Sequence, residues 1–355
     1  MSGTSLDGVD AALADFSGGA PRTLATHFAP FATDLRAELL ALQSPTANEL
    51  ERAALAANGL TRAYADAVAA VLALAGVAPG AVAALGAHGQ TIRHRPELGF
   101  TLQLNNPALL AELTGIAVVA DFRARDIAAG GQGAPLVPAF HRAVFGASGQ
   151  TRVIVNIGGI ANITRLDAGG GVLGFDTGPG NVLMDLWITQ HQCKTHDAGG
   201  AWAATGRVLP DLLARMLAEP YFALPAPKST GRDLFNPDWL AAQTAGLAPA
   251  DVQATLCELT SASIVAAIRS SVGDQAVEVF VCGGGVHNTI LQARLAALAP
   301  GWRWQGTDAL GVAPDWVEAL AFAWLARQTL SAAPGNLASV TGAAGPRVLG
   351  AVYPR

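Results

Sequence analysis

A glycine-rich turn beside a strand occurs near the start of each half of this chain, and this repeat most constrains the fold. Residues 3–10 hold two glycines, two hydroxyl side chains and two carboxylates, and lead into an alternating apolar stretch typical of a strand. The second turn, at 158–159, separates two apolar stretches at 152–157 and 160–166 that predict paired strands. Since strands and helices alternate after each turn, the sequence predicts two α/β domains.

The length of 355 residues also suits two domains. We expect an N-terminal domain over residues 1–148 and a C-terminal domain over 149–355, because a short Gly- and Ser-containing segment at 146–150 separates the repeats. The last helix and tail have an alternative placement, packed back on the first domain. The patterns predict helices at 35–76, 107–114, 287–299 and 315–330, and further strands at 81–87, 116–120, 171–175 and 277–282.

Composition excludes several classes of protein. The chain is 51% apolar and 14% charged, as expected of a globular enzyme. A net charge of −5 without a block of Lys or Arg argues against a nucleic-acid partner. Cys193, Cys257 and Cys282 are not spaced for a zinc site or a disulfide framework, which favours a reducing compartment. No apolar run or leader directs the chain to a membrane, so we expect a cytoplasmic protein.

The turn at 3–10 is a candidate phosphate site. Backbone N–H groups at a glycine turn, with the Thr4 and Ser5 hydroxyls beside them, form a concavity that can hold phosphate. A nearby carboxylate such as Asp7 suits a hydrated Mg²⁺ held through water. A polar surface hairpin is the alternative interpretation of this segment. The turn at 158–159 is likewise either a plain hairpin or a second phosphate turn that faces the first.

Asp176 is the strongest candidate for a catalytic group. It follows a strand and precedes a Gly-Pro-Gly turn and a helix, which is where ligands bind in α/β folds. A carboxylate held on such a stiff turn can act as a general base. The alternative is that Asp176 only caps the turn. The three glycines at 283–285, with Asn288 opening a helix, suit the close approach of a nucleotide.

Polar side chains at the ends of two other strands are candidate substrate contacts. Gln90, close to His88, could bind a sugar hydroxyl, and Arg123 could hold a carboxylate or phosphate through two hydrogen bonds. An Arg–Asp ion pair within the 121–126 segment is the alternative for Arg123. For Glu318, spacing alone favours a capping box with Asp315 at the start of a helix.

Seven segments together resemble the anhydro-N-acetylmuramic acid kinase family of the sugar kinase, heat-shock ATPase and actin superfamily. They are GTSLDGVD (3–10), HGQT (88–91), DFRARD with AAGGQGAPLVPAFH (121–141), NIGGIANIT (156–164), GFDTGPGN (174–181), KSTGRDLFN (228–236) and CGGGVHN (282–288). The resemblance runs from residue 2 to about 343. It implies two ribonuclease H-like, actin-like ATPase domains with an ATP and substrate cleft between them, in a homodimeric cytoplasmic enzyme of cell-wall recycling. The implied reaction uses ATP and water to convert 1,6-anhydro-N-acetylmuramic acid into N-acetylmuramic acid 6-phosphate.

The resemblance and the residue patterns together assign the candidate sites. The ATP-phosphate loop falls on Gly3, Thr4, Ser5, Leu6, Asp7, Gly8, Val9 and Asp10, and further nucleotide contacts on Gly158, Gly159, Gly283, Gly284, Gly285 and Asn288. The catalytic pair is Asp176 and Glu318, which also bind the sugar with His88, Gln90 and Arg123, while Asp7 holds Mg²⁺ through water. The family carries a further strand before the first motif, so we expect an unpaired edge there. It often has glycine at Asn105 and proline at Ala338.

Two rival functions remain open on sequence. A kinase for another amino sugar or a hexose would phosphorylate a hydroxyl without consuming water. A nucleotide-switched binding protein of the actin or chaperone type would need no sugar site. Sugar-dependent release of ADP separates the enzymes from the binding protein.

Overall fold

The structure is a computed structural model that describes residues 1–3, 5–18, 21–273 and 275–355. The chain divides into two compact units, one formed by residues 1–144 together with 316–355 and the other by residues 145–315. The strands are β1 (Gly8–Asp15), β2 (Arg22–Pro30), β3 (Leu85–Gly86), β4 (Gln90–Arg95), β5 (Phe100–Leu104), β6 (Val118–Ala120), β7 (Arg152–Ile157), β8 (Ile160–Leu166), β9 (Val172–Pro179), β10 (Glu278–Cys282), β11 (Arg303–Gly306) and β12 (Ala351–Tyr353). The helices are α1 (Thr33–Ala41), α2 (Glu49–Ala75), α3 (Pro107–Thr114), α4 (Ala124–Ala128), α5 (Val137–Phe145), α6 (Val182–Gln192), α7 (Pro210–Leu217), α8 (Pro220–Ala223), α9 (Pro237–Thr244), α10 (Pro249–Val272), α11 (Thr289–Leu298), α12 (Val317–Leu330) and α13 (Ala338–Thr341).

The strands of the first unit form short sheets. β1 and β2 form an antiparallel pair, β4 and β5 a second one, and β12, β6 and β3 a three-stranded sheet in that order. α2 turns an apolar face toward β1 and β2, and the side chains of Leu60, Tyr64 and Val71 are buried there. α3 begins with Pro107 after Asn106, whose side chain accepts the N–H of Leu109 as an N-cap.

The second unit contains one five-stranded sheet in the order β11-β10-β7-β8-β9. β7, β8 and β9 are antiparallel neighbours, whereas β10 and β11 run parallel to β7. This order, with a three-stranded meander followed by two parallel crossovers, is that of a ribonuclease H-like domain. The α/β fold class expected from the sequence is therefore confirmed. α10 packs on the sheet and contributes Leu256, Leu259 and Ile264 to a large apolar core.

Some element predictions are wrong in detail. The helix expected over 35–76 is broken at 42–48, since Pro45 has no N–H for a continuous helix. The strand expected over 81–87 is reduced to β3, where Gly86 lies against the backbone of Phe322 in α12. β7 and β8 have the predicted bounds.

The structure also bears on three properties considered from composition: disulfide bonds, membrane-spanning segments and metal sites. Within the described residues, Cys193, Cys257 and Cys282 form no disulfide bond. Of the helices in the described ranges, none is both long and apolar enough to cross a bilayer. No group of three or more His, Cys, Asp and Glu side chains in that same part of the chain could hold a metal ion.

Candidate active site

The first turn is closed by main-chain hydrogen bonds. The N–H of Asp10 donates to the carbonyl of Met1 over 2.8 Å, and the Met1 amine donates back to the Asp10 carbonyl over 2.8 Å. Leu6 has a φ of +55°, and its carbonyl accepts Nε of Arg36 over 2.8 Å. Such a left-handed conformation is costly for leucine, so burial of its side chain and the Arg36 hydrogen bond must hold the turn in place.

The residues of this turn divide into core and exposed positions. Leu6 and Val9 are buried in the apolar core of the first unit, so only their backbone is available to a phosphate. Asp7 is exposed and its Oδ1 accepts the Ser5 hydroxyl over 2.6 Å. An exposed carboxylate fits a hydrated Mg²⁺, which takes one or two carboxylates and keeps its waters. Thr4 lies outside the described residues.

His88 and Arg123 form a buried pair in the first unit. Nε2 of His88 accepts Nε of Arg123 over 3.1 Å and lies 3.0 Å from its Nη2, while Nη1 donates to the Gly133 carbonyl over 2.8 Å. Burial, and then the charge of Arg123, lower the pKa of His88 well below its usual value. His88 is therefore neutral, and its proton lies on Nδ1 because Nε2 is an acceptor.

α12 places Glu318 near this pair. Phe322, one turn after Glu318, packs against His88 with the rings tilted and their centroids 4.5 Å apart. Burial raises the pKa of Glu318, and the charge of Arg123 opposes that shift. The capping box predicted from spacing is wrong, because α12 has no side-chain cap and Asp315 instead bonds Nε2 of His287 over 2.8 Å.

Two buried polar atoms in this region have no partner within the part of the chain that the structure describes. They are Nδ1 of His88 and Oε1 of Gln90. The other end of the Gln90 amide donates to the Gly3 carbonyl over 3.1 Å, which links the residue to the first turn. A buried amide oxygen without a partner is costly, so both atoms suit hydrogen bonds to a bound ligand.

The ion pair considered for the 121–126 segment does not form as expected. Asp126 is fully buried, and its carboxylate accepts the Gly133 N–H over 2.8 Å, the Asn336 amide over 2.6 Å and the Thr341 hydroxyl over 2.7 Å. Asp126 thus joins the 130–133 loop to the C-terminal tail, a long-range role that local sequence did not reveal.

In the second unit the turn at 158–159 packs against the start of α6. The N–H of Gly180 donates to the Gly159 carbonyl over 2.9 Å, and the N–H of Asn181 donates to the Gly158 carbonyl over 2.8 Å. A Cβ at Gly180 would collide with the Gly158 carbonyl. The structure therefore brings together two segments that were singled out separately from the sequence.

The glycine cluster follows β10 and lies against the end of β7. At Gly283 φ is +78°, and a Cβ there would collide with the Asn156 side chain, so only glycine fits. Gly284 and Gly285 begin a short turn of 3₁₀ helix. The Asn288 side chain caps α11 by accepting the Leu291 N–H over 3.0 Å, so its oxygen is used structurally.

Asp176 lies within β9, which continues to Pro179, rather than at the end of a strand as expected. Its Oδ2 accepts the Thr230 N–H over 3.0 Å. Burial raises the pKa of Asp176 to about 6, and the Thr230 hydrogen bond opposes the shift. A carboxylate with a pKa near neutrality can take up and release a proton at cellular pH.

A pocket of about 270 Å³ lies beside α11, the helix that follows the glycine cluster. Apolar and small residues of α10, α11 and the 203–208 segment line it, together with the Glu258–Arg294 pair, in which Arg294 Nε donates to Glu258 over 2.6 Å. Apolar walls with a few polar groups are typical of small-molecule sites. No local sequence pattern indicates this pocket, since the two charges lie on different helices.

The second unit combines a ribonuclease H-like sheet, glycine turns and a carboxylate whose pKa is raised to about 6, an arrangement that suits an α/β enzyme acting on phosphate. The chain belongs to the anhydro-N-acetylmuramic acid kinase family, whose model matches residues 1–355. Curated relatives of that name include proteins of Variovorax paradoxus, 60% identical, and Cupriavidus pinatubonensis, 57% identical, each aligned over 100% of this chain and 97% of its own length. A solved activator of 2-hydroxyisocaproyl-CoA dehydratase from Clostridium difficile is 12% identical with a TM-score of 0.42, covering 87% of this chain and 89% of its own.

Proposed function

We propose that this protein converts 1,6-anhydro-N-acetylmuramic acid, ATP and water into N-acetylmuramic acid 6-phosphate and ADP, a step in cell-wall recycling. Family membership over the whole chain supports the substrate and the reaction. The observation that carries the chemistry is Asp176, a partly buried carboxylate with a pKa of about 6 beside a glycine turn.

In the proposed reaction, water attacks the anomeric carbon of the bicyclic sugar while Asp176 takes its proton. The bond between that carbon and the bridging 6-oxygen breaks, and the 6-oxygen then attacks the γ-phosphorus of ATP as ADP leaves. General-base assistance of this kind contributes roughly 10²–10⁴ in rate. Glu318 supports the 1,6-anhydro bridge of the sugar, and the neighbouring Arg123 helps to keep the Glu318 carboxylate charged.

The remaining candidate residues would bind and orient the nucleotide and the sugar. The turns at 3–10 and 158–159 and the glycines at 283–285 would contact phosphates through backbone N–H groups. Asp7 would hold Mg²⁺ through water, and the ion supplies charge neutralisation at the transferring phosphoryl group. Gln90 and His88 offer their unpartnered atoms to the sugar, with Arg123 beside them.

The resemblance further supports a homodimer in the cytoplasm, where ATP is present. The exposed free thiol of Cys193 agrees with a reducing compartment. Sedimentation of the purified protein at micromolar concentration tests the dimer, and a monomer at all concentrations would contradict it.

Release of ADP in the presence of different sugars tests the function. We expect ADP release to require 1,6-anhydro-N-acetylmuramic acid and to remain at the background rate with N-acetylglucosamine or glucose. Equal release with an ordinary hexose would favour the rival sugar kinase. Nucleotide binding without sugar-dependent turnover would favour the nucleotide-switched binding protein.

A further inference from the structure

The chain segment at 221–230 returns to Asp176 and bonds it at three places. The Tyr221 hydroxyl donates to the Asp176 carbonyl over 2.7 Å, and the Asp176 N–H donates to the Lys228 carbonyl over 3.1 Å. The Thr230 N–H donates to the carboxylate over 3.0 Å. Because β9 is the last strand of its sheet, this segment covers an otherwise open edge at the position of Asp176.

The Lys228 side chain ties the two ends of this segment together. Its Nζ donates to the carbonyls of Tyr221 over 3.0 Å and Phe222 over 3.1 Å. The same nitrogen lies 4.6 Å from the centroid of the Tyr221 ring, within cation–π distance. Its partners are therefore two carbonyls and a ring, and burial lowers the pKa of the ammonium.

The contacts of the Asp176 carboxylate indicate what the segment does. Of its two oxygens, Oδ2 accepts the hydrogen bond from the Thr230 N–H. With Oδ2 engaged, Oδ1 is the oxygen that would take the proton in the proposed reaction. A carboxylate that must accept a proton from one direction needs its second oxygen fixed.

We propose that Lys228 is a positioning residue, whose ammonium closes the 221–230 segment and so keeps the Thr230 N–H on the Asp176 carboxylate. The proposal rests on the proposed function, in which Asp176 is the base. The Lys228 ammonium bonds the Tyr221 and Phe222 carbonyls, so in this proposal it acts on Asp176 through Tyr221 and the backbone.

A change in the protonation of Asp176 should follow when the segment is opened. A hydrogen bond donated to a carboxylate favours the charged form, so its loss raises the pKa of Asp176 further above its usual value. Among the described residues, Tyr221 is a titratable group whose pKa responds to the charge of Asp176, and Asn162 faces Asp176 across the β8 pairing. The expected direction is therefore upward.

The test compares Lys228→Met with Lys228→Arg in the full chain. For Lys228→Met we expect the acid limb of kcat/KM to move up by roughly one pH unit, so that activity falls roughly tenfold near pH 5 and about twofold at pH 7, with the KM for ATP unchanged. Lys228→Arg retains donors for both carbonyls, so it should keep the acid limb near its original position and retain most of the activity. In parallel, carboxyl ¹³C NMR of aspartate-labelled protein should show the Asp176 titration moving in the same direction.

Several results would overturn the proposal. One is an Asp176 pKa that does not change in folded Lys228→Met. Another is a loss of activity in Lys228→Arg as large as that in Lys228→Met. If Lys228→Met does not fold, Tyr221→Phe removes one of the three bonds and should give a smaller upward shift, whose absence would also overturn it. If instead the Asp176 titration moves in Lys228→Met, but the activity of the unaltered enzyme does not follow its own Asp176 titration, the proposed function fails and the positioning role stands.

Discussion

The two candidate catalytic carboxylates lie in different surroundings. Glu318, in the first unit, has the guanidinium of Arg123 nearby, and that charge opposes the effect of burial on its pKa. For Asp176, in the second unit, the Thr230 backbone N–H opposes burial, and the pKa rises to about 6. A carboxylate near a fixed cation is suited to hold negative charge, whereas one without such a partner is suited to exchange a proton.

Exchanging each carboxylate for its amide tests this difference with the largest expected effect. Asp176→Asn should fold and bind ATP, yet lose roughly 10²–10⁴ in kcat because the general base is gone. Glu318→Gln should lose less and should keep the acid limb near pH 6, since Asp176 still titrates. Steady-state kinetics across pH measures both. Near-normal turnover by Asp176→Asn would remove it from the chemistry.

The same substitution should alter stability in a pH-dependent way. A carboxyl whose pKa is raised from 3.8 to about 6 on folding binds its proton more tightly in the native state, so it destabilises the fold as pH rises through that window. Asp176→Asn should therefore be more stable than the parent above about pH 6, by up to about 3 kcal/mol before solvent screening. Below about pH 4 the difference should vanish. Urea unfolding at several pH values measures it, and a pH-independent difference would contradict the raised pKa.

A pair of glycine substitutions tests how the second unit holds its turns. At Gly180 a Cβ would meet the Gly158 carbonyl, whereas at Gly158 the nearest atom is 3.6 Å away. Gly180→Ala should therefore destabilise the protein by about 1–3 kcal/mol, and Gly158→Ala by much less. Thermal unfolding compares the two, and equal stabilities would show that the two segments do not pack as described.

The smallest effect is expected at Asp315. Its contact with His287 is exposed and α12 lacks a side-chain cap, so Asp315→Ala should change stability by less than about 0.5 kcal/mol. Loss of an N-cap would cost about 1 kcal/mol instead. Chemical denaturation distinguishes the two values, and the larger loss of stability would support the capping-box interpretation of Asp315.

Contacts between neighbours in sequence were predictable, and contacts between distant segments were not. The hairpin of β7 and β8 follows directly from two apolar stretches and a glycine turn. Asp176 could be singled out because its own motif combines a strand, a stiff turn and a helix. The Thr230 hydrogen bond that fixes it comes from a separate segment, and no local pattern announces such a pairing.

The first unit shows the same limit. Glu318 and Phe322 share a helical face, as their spacing implies, but spacing could not indicate that this face meets His88. The link of Asp126 to Asn336 joins the two ends of the unit's sequence. Here the fold brings together residues whose local sequence carries no signal for one another.

The most direct test of the central claim is the fate of the water oxygen. The purified protein would be given ATP, Mg²⁺ and 1,6-anhydro-N-acetylmuramic acid in ¹⁸O-water, with the product examined by mass spectrometry under conditions that limit anomeric exchange. We predict a sugar phosphate that carries one ¹⁸O, at the anomeric carbon, and its formation should fall with Asp176→Asn. A phosphorylated sugar without ¹⁸O would contradict water-dependent ring opening, and with it the role of Asp176 as the base.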